Sequence, residues 1–454
     1  MSKEEHKIVQ ILEDYSLVSV PLHERRGFLS QFLIISGYII CIAGLFAGGT
    51  LGSGMNISTA ITALIIGSII LALYSSLVAI PSAKYGVSTY VLARHAFGRY
   101  GSMIVALIAF ILNGAGWYAY ETALFGLTMQ ELIPGHPATH WQVASIWGGI
   151  MMMITSIVGY RGINVLSYLA VPLMVILSLA GLLASVQMVG GWDTLMALQP
   201  PQTIPLAVGI TITVGYFAIG AATQPDIARY AKNEKVAVGS IWAGFLLANP
   251  FIMFCGVAML LATMYHYAEL GLVGSTPNLP LAMKVLGLGL GALIVAALAQ
   301  WTTNDNNLYT GSLALVNIIP LPRWLLVSIT GIAGTIIAAI GIYEYWVPWL
   351  IFLGSFVPAM AGVIIADYHV ISRLLRRKEY KFGPGTAYSG FDVAGLLAMF
   401  IAGYIATIPA ISEIIPGAII GLVLGFVLHI VLTLILEPLK AARIGKYVER
   451  AYGF

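Results

Sequence analysis

Residues Trp301, Thr302, Thr303, Asn304, Asp305, Asn306 and Asn307 place seven polar or amphipathic side chains inside a stretch that is otherwise apolar from 286 to 317. Hydroxyls, amides and a carboxylate can bind a small cation through hard oxygens, or hydrogen-bond a polar solute. At the centre of a spanning helix one Asp costs about 2.5 to 3.5 kcal/mol, so polar clusters at that depth face a water-filled pathway or bind something. This stretch is therefore expected to hold a substrate or coupling-ion site. Thr302 and Thr303 either satisfy themselves on the carbonyl one turn back or offer paired hydroxyls to a monovalent cation, which suits sodium. A second pair, Trp117 and Glu121, lies four apart and so shares a helix face. A Trp deep in a spanning segment, followed one turn later by a carboxylate, reads as a binding wall rather than an interface anchor. Three roles stay open for Glu121: substrate acceptor, proton carrier, or a neutral structural carboxyl whose charge state depends on its surroundings.

These residues need spanning helices to position them, and composition demands a membrane. The chain has 454 residues, 59% hydrophobic and only 9% charged, with mean hydropathy +0.91, whereas soluble domains carry roughly 25% charged residues. Apolar stretches long enough to cross about 30 Å of hydrocarbon lie near 29-50, 59-84, 101-131, 141-160, 163-189, 205-226, 236-265, 286-317, 322-343, 345-371, 391-410 and 412-437. An all-α polytopic membrane protein with twelve transmembrane helices is expected. Of the 22 Lys and Arg, 21 fall on one side of that alternation and only Lys284 on the other. By the positive-inside rule both termini are cytoplasmic. The net charge of +3 thus reports topology and gives no support to nucleic-acid binding.

Cys41 and Cys255 both fall in spanning stretches, which suggests neither a disulfide framework nor a cysteine metal site. Residues 1-28 are polar and charged, so no cleavable signal is expected and the first helix stays. His136 and His140 sit in a Pro-rich loop, where solvated surface outweighs a metal pair. Glycine and proline mark possible breaks: Gly37, Gly44, Gly48 and Gly49 in the first stretch, and Gly215, Gly220 and Pro225 in the sixth. Broken helices in corresponding places of two halves point to a transporter site, although glycines also permit close packing. Their spacing, five helices apart, favours a five-helix inverted repeat.

The string from Trp301 to Asn306 with Leu308 and Tyr309 resembles the nucleobase:cation symporter-1 family, as do Gly48 to Gly52, the pair Gly116 and Trp117, and Gly362 to Tyr368. The cytosine permease branch is the nearest in pattern. The resemblance implies a leucine-transporter-like fold with a 5+5 inverted repeat over about 29-189 and 205-371, within a core of 29-371. Around it lie the N-terminal segment 1-28, a cytoplasmic loop 372-390, two further helices in 391-437 and a tail 438-454. It also implies sodium-coupled uptake of a flat heterocycle across the plasma membrane of a bacterium, by a monomer. The implied sodium site uses the Thr302 and Thr303 hydroxyls, the Ala299 carbonyl, and the carbonyls of Gly37 and Cys41. The ring would lie between Trp117 and Phe217, with Asn304 the amide expected at its edge.

Cytosine permeases carry a glutamine three residues before the third-helix Trp and a serine just before the sixth-helix aromatic, where this chain has Gly114 and Tyr216. Glu121 stands where hydantoin-type members carry a glutamine. An ionised carboxylate only accepts hydrogen bonds, so it favours a ring with adjacent N–H donors, as guanine presents at N1 and its 2-amino group. The expected function is sodium-coupled import of a nucleobase, cytosine or a purine such as guanine. Proton coupling through Glu121 or Asp305, for a hydantoin, allantoin or hydroxymethylpyrimidine type of ring, is the runner-up. A membrane enzyme is remote, since no His sits beside the 301-307 cluster to serve as a base, and so is a channel, which would show passive flux without ion coupling.

Overall fold

The computed structural model describes residues 15-158, 160-266, 278-319 and 321-449, with the backbone alone between 158 and 169. Lys3, Lys7 and Arg450, which weighed in the topology, lie outside the described residues, as does the Arg161 side chain. The helices of the core are α1 (Phe28–Ile39), α2 (Ile42–Gly52), α3 (Ile57–Tyr85), α4 (Arg99–Leu132), α5 (Trp141–Val158), α6 (Tyr160–Met188) and α7 (Leu206–Ala222). They continue with α8 (Glu234–His266), α9 (Gly289–Val316), α10 (Arg323–Ala339), α11 (Trp346–Ile365), α12 (Val393–Ala406) and α13 (Gly417–Leu436). Among the described residues six helices are long and apolar enough to cross a membrane, or seven if α1 and α2 form one span; α7, α10, α12 and most of α5 are apolar but shorter. Local signals bound them in the ordinary way. Asn56 caps α3 by accepting from the Thr59 N–H at 2.9 Å, and Gly86 ends it with φ +74°.

The expected break in the first stretch exists. α1 and α2 meet at 56° across Ile40 and Cys41. The sixth stretch also breaks, at Thr223 and Gln224, before the short helix Pro225–Ala228. Neither break falls on the glycines. A Cβ on Gly48 would lie 1.9 Å from the Met253 carbonyl oxygen, and one on Gly215 would lie 1.9 Å from that of Leu350. These glycines let α2 approach α8, and α7 approach α11, so close packing is what they provide. Pro225 does mark its break, at the first position of the short helix, where its missing N–H costs nothing.

One feature lies outside the helical expectation. Strand β1 (Ala387–Asp392) pairs antiparallel with β2 (Arg443–Val448), Tyr388 opposite Tyr447 and Phe391 opposite Ile444. The loop after α11 and the segment after α13 are thereby one structure. Beneath them Arg94, on the short helix Thr89–Phe97, meets Glu449 at 2.8 Å with side-chain exposures of 0% and 2%.

Candidate functional site

The break between α1 and α2 opens a backbone that the rest of the site uses. The Cys41 N–H, which would close the next helical turn on the Gly37 carbonyl, bonds the Ile39 carbonyl instead at 2.9 Å. The Tyr216 hydroxyl on α7 donates to the same Ile39 oxygen. The Cys41 sulfur lies 3.1 Å from the Tyr216 hydroxyl and 4.0 Å from Glu121 Oε1. The thiol donates to Glu121 Oε1, and the phenol, its hydrogen committed to Ile39, lies beside the sulfur. Two distant helices, α4 and α7, thus converge on the bend.

A cavity of about 30 Å³ lies there. Its aromatic walls are Tyr38, Trp117, Tyr216 and Phe217; Cys41, Asn113, Glu121, Thr303 and Asn307 supply the polar rim. Trp117 ends an eight-residue π-helical turn, Phe110–Trp117, inside α4, a distortion that recurs at functional sites. Trp117 and Phe217 each meet Tyr216 edge-on, with centroids 6.4 and 5.9 Å away, and Phe217 also meets Tyr38 at 5.0 Å. Glu121 is fully buried and its Oε2 has no partner among the described residues.

Helix α9 turns its polar residues in three directions. Thr303 and Asn307, one turn apart, face the cavity. Asn304 points elsewhere: its amide nitrogen donates to Thr122 Oγ1 at 2.9 Å and lies 3.1 Å from Met152 Sδ. Asn304, expected at the ring edge, therefore braces α4 and α5, and Asn307 takes the cavity face because the helix rotates about 100° per residue. Trp301 and Asp305 turn to α5, donating to Thr155 at 2.9 Å and accepting from Ser156 respectively.

The Thr302 and Thr303 hydroxyls both donate to the Ala299 carbonyl at 2.9 Å. This is the self-satisfying arrangement, yet it gathers three hard oxygens within one turn. Gly114, which stands where cytosine permeases carry a substrate-side glutamine, packs on Gly311, whose Cα would lie 2.6 Å from an added Cβ. His136 accepts from the Ala138 N–H at 3.2 Å and so shapes its own loop.

Tyr38 and Asn113 line the cavity although sequence reasoning passed over them, and Asn307 does so although the string from Trp301 to Asn307 gave it no role of its own. Asn113 stands four before Trp117 and Asn307 four after Thr303, the same helical spacing that singled out Glu121, so the signal was present. Tyr38 carried none, because only the bend brings its ring to Phe217.

A buried, aromatic-walled cavity with a polar rim at a broken membrane helix defines a carrier of small polar solutes. The chain belongs to the family of permeases for cytosine/purines, uracil, thiamine and allantoin, whose model matches residues 19–431. The cytosine permease of Escherichia coli (strain K12) is 32% identical over 390 residues, covering 85% of this chain and 87% of that protein. The purine-uracil permease NCS1 of Arabidopsis thaliana is 26% identical over 433 residues, 86% of this chain and 70% of the relative. In fold the chain is similar to Mhp1, a nucleobase-cation-symport-1 family transporter solved in a closed conformation with bromovinylhydantoin bound. The TM-score is 0.73 at 18% identity, covering 93% of this chain and 95% of that one. The protein is a multi-pass membrane transporter of the nucleobase and hydantoin permease type, and not an enzyme.

Proposed function

We propose that this permease is a sodium-coupled symporter that imports a nucleobase, cytosine or a purine such as guanine, by alternating access. The observation that carries the reading is the meeting, at one helix break, of aromatic rings, a carboxylate with an unpartnered oxygen, and Thr303, whose hydroxyl shares the Ala299 carbonyl with Thr302. In this reading the ring is flanked by Trp117 and Phe217 with its edge toward Glu121, and lies against the edge of Tyr216. Stacking on an aromatic side chain is worth about 1-3 kcal/mol per base and tolerates any planar ring. Space for a cavity of about 30 Å³ suits a water molecule or two, so the walls swing outward as a base enters.

The coupling ion is held by the hydroxyls of Thr302 and Thr303 and the carbonyls of Ala299, Gly37 and Cys41. The chemistry of these donors fits sodium, since all are neutral hard oxygens, and the Gly37 carbonyl is released by the bend. The threonine hydroxyls then turn their hydrogens away from Ala299. Inward movement of one charge through 100 mV releases about 2.3 kcal/mol, which drives accumulation.

The same reading takes the helices as twelve spans, with an inverted repeat over 29-189 and 205-371. It places the protein as a monomer in the bacterial inner membrane with both termini cytoplasmic. Proton coupling for a hydantoin-type, allantoin-type or hydroxymethylpyrimidine-type ring draws on one observation, that Glu121 Oε2 and Asp305 Oδ2 are both buried without a partner. Uptake of radiolabelled guanine and cytosine into proteoliposomes decides between them. A sodium gradient alone drives uptake if the proposal holds; uptake that follows an imposed pH gradient and ignores sodium refutes it.

A further inference from the structure

The polar side chains around the cavity donate hydrogens to one another, and the two amides on its rim, each with one N–H so engaged, leave their carbonyl oxygens free. Thr310 donates its own hydroxyl hydrogen to the Asn306 and Asn307 carbonyls at 3.0 and 3.1 Å, so its oxygen is left to accept. Asn113 must then aim its amide NH2 at Thr310, 3.0 Å away. The same logic orients Asn307. Asn304 uses its NH2 on Thr122 and against the Met152 sulfur, a weak acceptor, which leaves Asn304 Oδ1 facing Asn307 and draws the Asn307 NH2 to it at 3.2 Å. Both cavity amides are thereby turned, by partners outside the cavity, with their carbonyl oxygens left unbonded by the protein. Thr303 gives its hydrogen to Ala299, Tyr216 gives its hydrogen to Ile39, and Glu121 Oε2 is unpartnered. The donors left on the lining are the Trp117 indole N–H, the Tyr38 hydroxyl, which lies beside Asn113 and Thr310, and the second N–H of each amide.

We propose that Asn113 and Asn307 are specificity-determining residues, which present carbonyl oxygens to the cavity and so select rings bearing exocyclic amino groups over the matching rings bearing oxo groups. Replacing an amino group by a carbonyl exchanges a donor for an acceptor, and a carbonyl oxygen set against amide and carboxylate oxygens leaves buried lone pairs unmatched. Sites built to hydrogen-bond a substrate reject analogues that leave their buried groups unpaired by large factors. The inference rests on the reading that this cavity binds a nucleobase.

The test measures dissociation constants of the purified full-length protein in sodium for two matched pairs, cytosine with uracil and guanine with xanthine. In at least one pair the amino ring binds about tenfold or more tighter than its oxo partner. Thr310→Val removes the acceptor that turns Asn113, and Asn307→Leu removes an oxygen from the rim; each brings that ratio down by about tenfold toward unity. Because the ratio compares two ligands on one preparation, partial unfolding does not mimic the result. Thr310→Val leaves every lining side chain in place and so reports even where Asn307→Leu fails to fold. Oxo rings that bind the wild type as tightly as amino rings overturn this inference and leave the nucleobase reading standing. A preference that both variants retain overturns the assignment to Asn113 and Asn307. Binding of none of the four rings overturns both readings together.

Discussion

The cavity and the strand-capped end of the molecule treat buried charge in opposite ways. At the cavity Glu121 keeps an oxygen unpartnered and the bend leaves a carbonyl out of its helical turn. At the other end Arg94 meets Glu449, and Asp367 accepts from Tyr380 and from His429, the latter at 3.1 Å, and pairs with Lys378. Asp392 meets Arg443 at 3.4 Å, and the same arginine meets Glu437 at 3.2 Å. A carrier site has to exchange partners with its cargo and so keeps valences open. At the strand-capped end it is the carboxylates that are matched, each held by a cation or a hydrogen-bond donor, and buried atoms left without a partner there among the described residues, such as His429 Nδ1, Arg443 Nη2 and Tyr447 Oη, belong to other groups.

The contrast breaks most visibly by removing one member of a buried ion pair. Arg94→Met strands Glu449, and removing one partner of a buried pair costs about 3-5 kcal/mol. Denaturation of the detergent-purified protein reads this, and a change under 1 kcal/mol would mean that the two ends do not differ in kind.

Acid probes the same end. Burial, followed by the nearby Lys378 charge, pushes His95 from its ordinary 6.5 down to about 4. Above pH 6.5 both folded and unfolded chains hold it neutral, and its contribution is complete. As the pH falls from 6.5 toward 4 only the unfolded chain takes the proton, so stability declines by about 1.4 kcal/mol per pH unit. A His95→Gln variant should flatten that part of the stability profile, and an unchanged slope would show that other groups set it.

At the open site, Trp117→Ala and Phe217→Ala should each weaken base binding by about 1-3 kcal/mol, roughly five- to 150-fold in Kd. Unchanged affinity in both would remove the ring from between them. Thr302→Ala or Thr303→Ala is expected to raise the sodium concentration for half-maximal uptake about tenfold, the equivalent of one hydrogen bond to a charged group. Wild-type sodium dependence in both places the ion elsewhere.

The smallest effect on stability, and the sharpest test of openness, belongs to Glu121→Gln. It keeps the shape and removes charge and titration, so stability should stay within about 1 kcal/mol of wild type while the ranking of competing nucleobases changes. A wild-type ranking with wild-type coupling leaves Glu121 a structural role alone.

Much of the site was legible in the chain. The polar string in α9 and the Trp117 and Glu121 pairing were singled out by polarity at membrane depth and helical spacing, the Tyr216 and Phe217 position by the family resemblance, and the cavity takes residues from each. Asn304 and Asn307 show the limit. Both are amides in one string, three residues apart, and only the neighbours of α9 decide which one meets Thr122 and Met152 and which meets the cavity. The glycines show a second limit, because a missing side chain serves a kink and a close helix contact equally well in sequence, and the carbonyls of Met253 and Leu350 settle that it is contact.

By itself the sequence determined that the chain crosses a membrane, where its helices run, and which side chains are too polar to face lipid, since hydrophobic transfer and backbone satisfaction are properties of each segment alone. The tertiary structure decided the place of the bend at Ile40 and Cys41, the lock of Tyr216 on Ile39, the direction of each amide, and the joining of β1 to β2. Those depend on which surfaces lie opposite one another, and a hydrogen bond has no direction until its partner is in place.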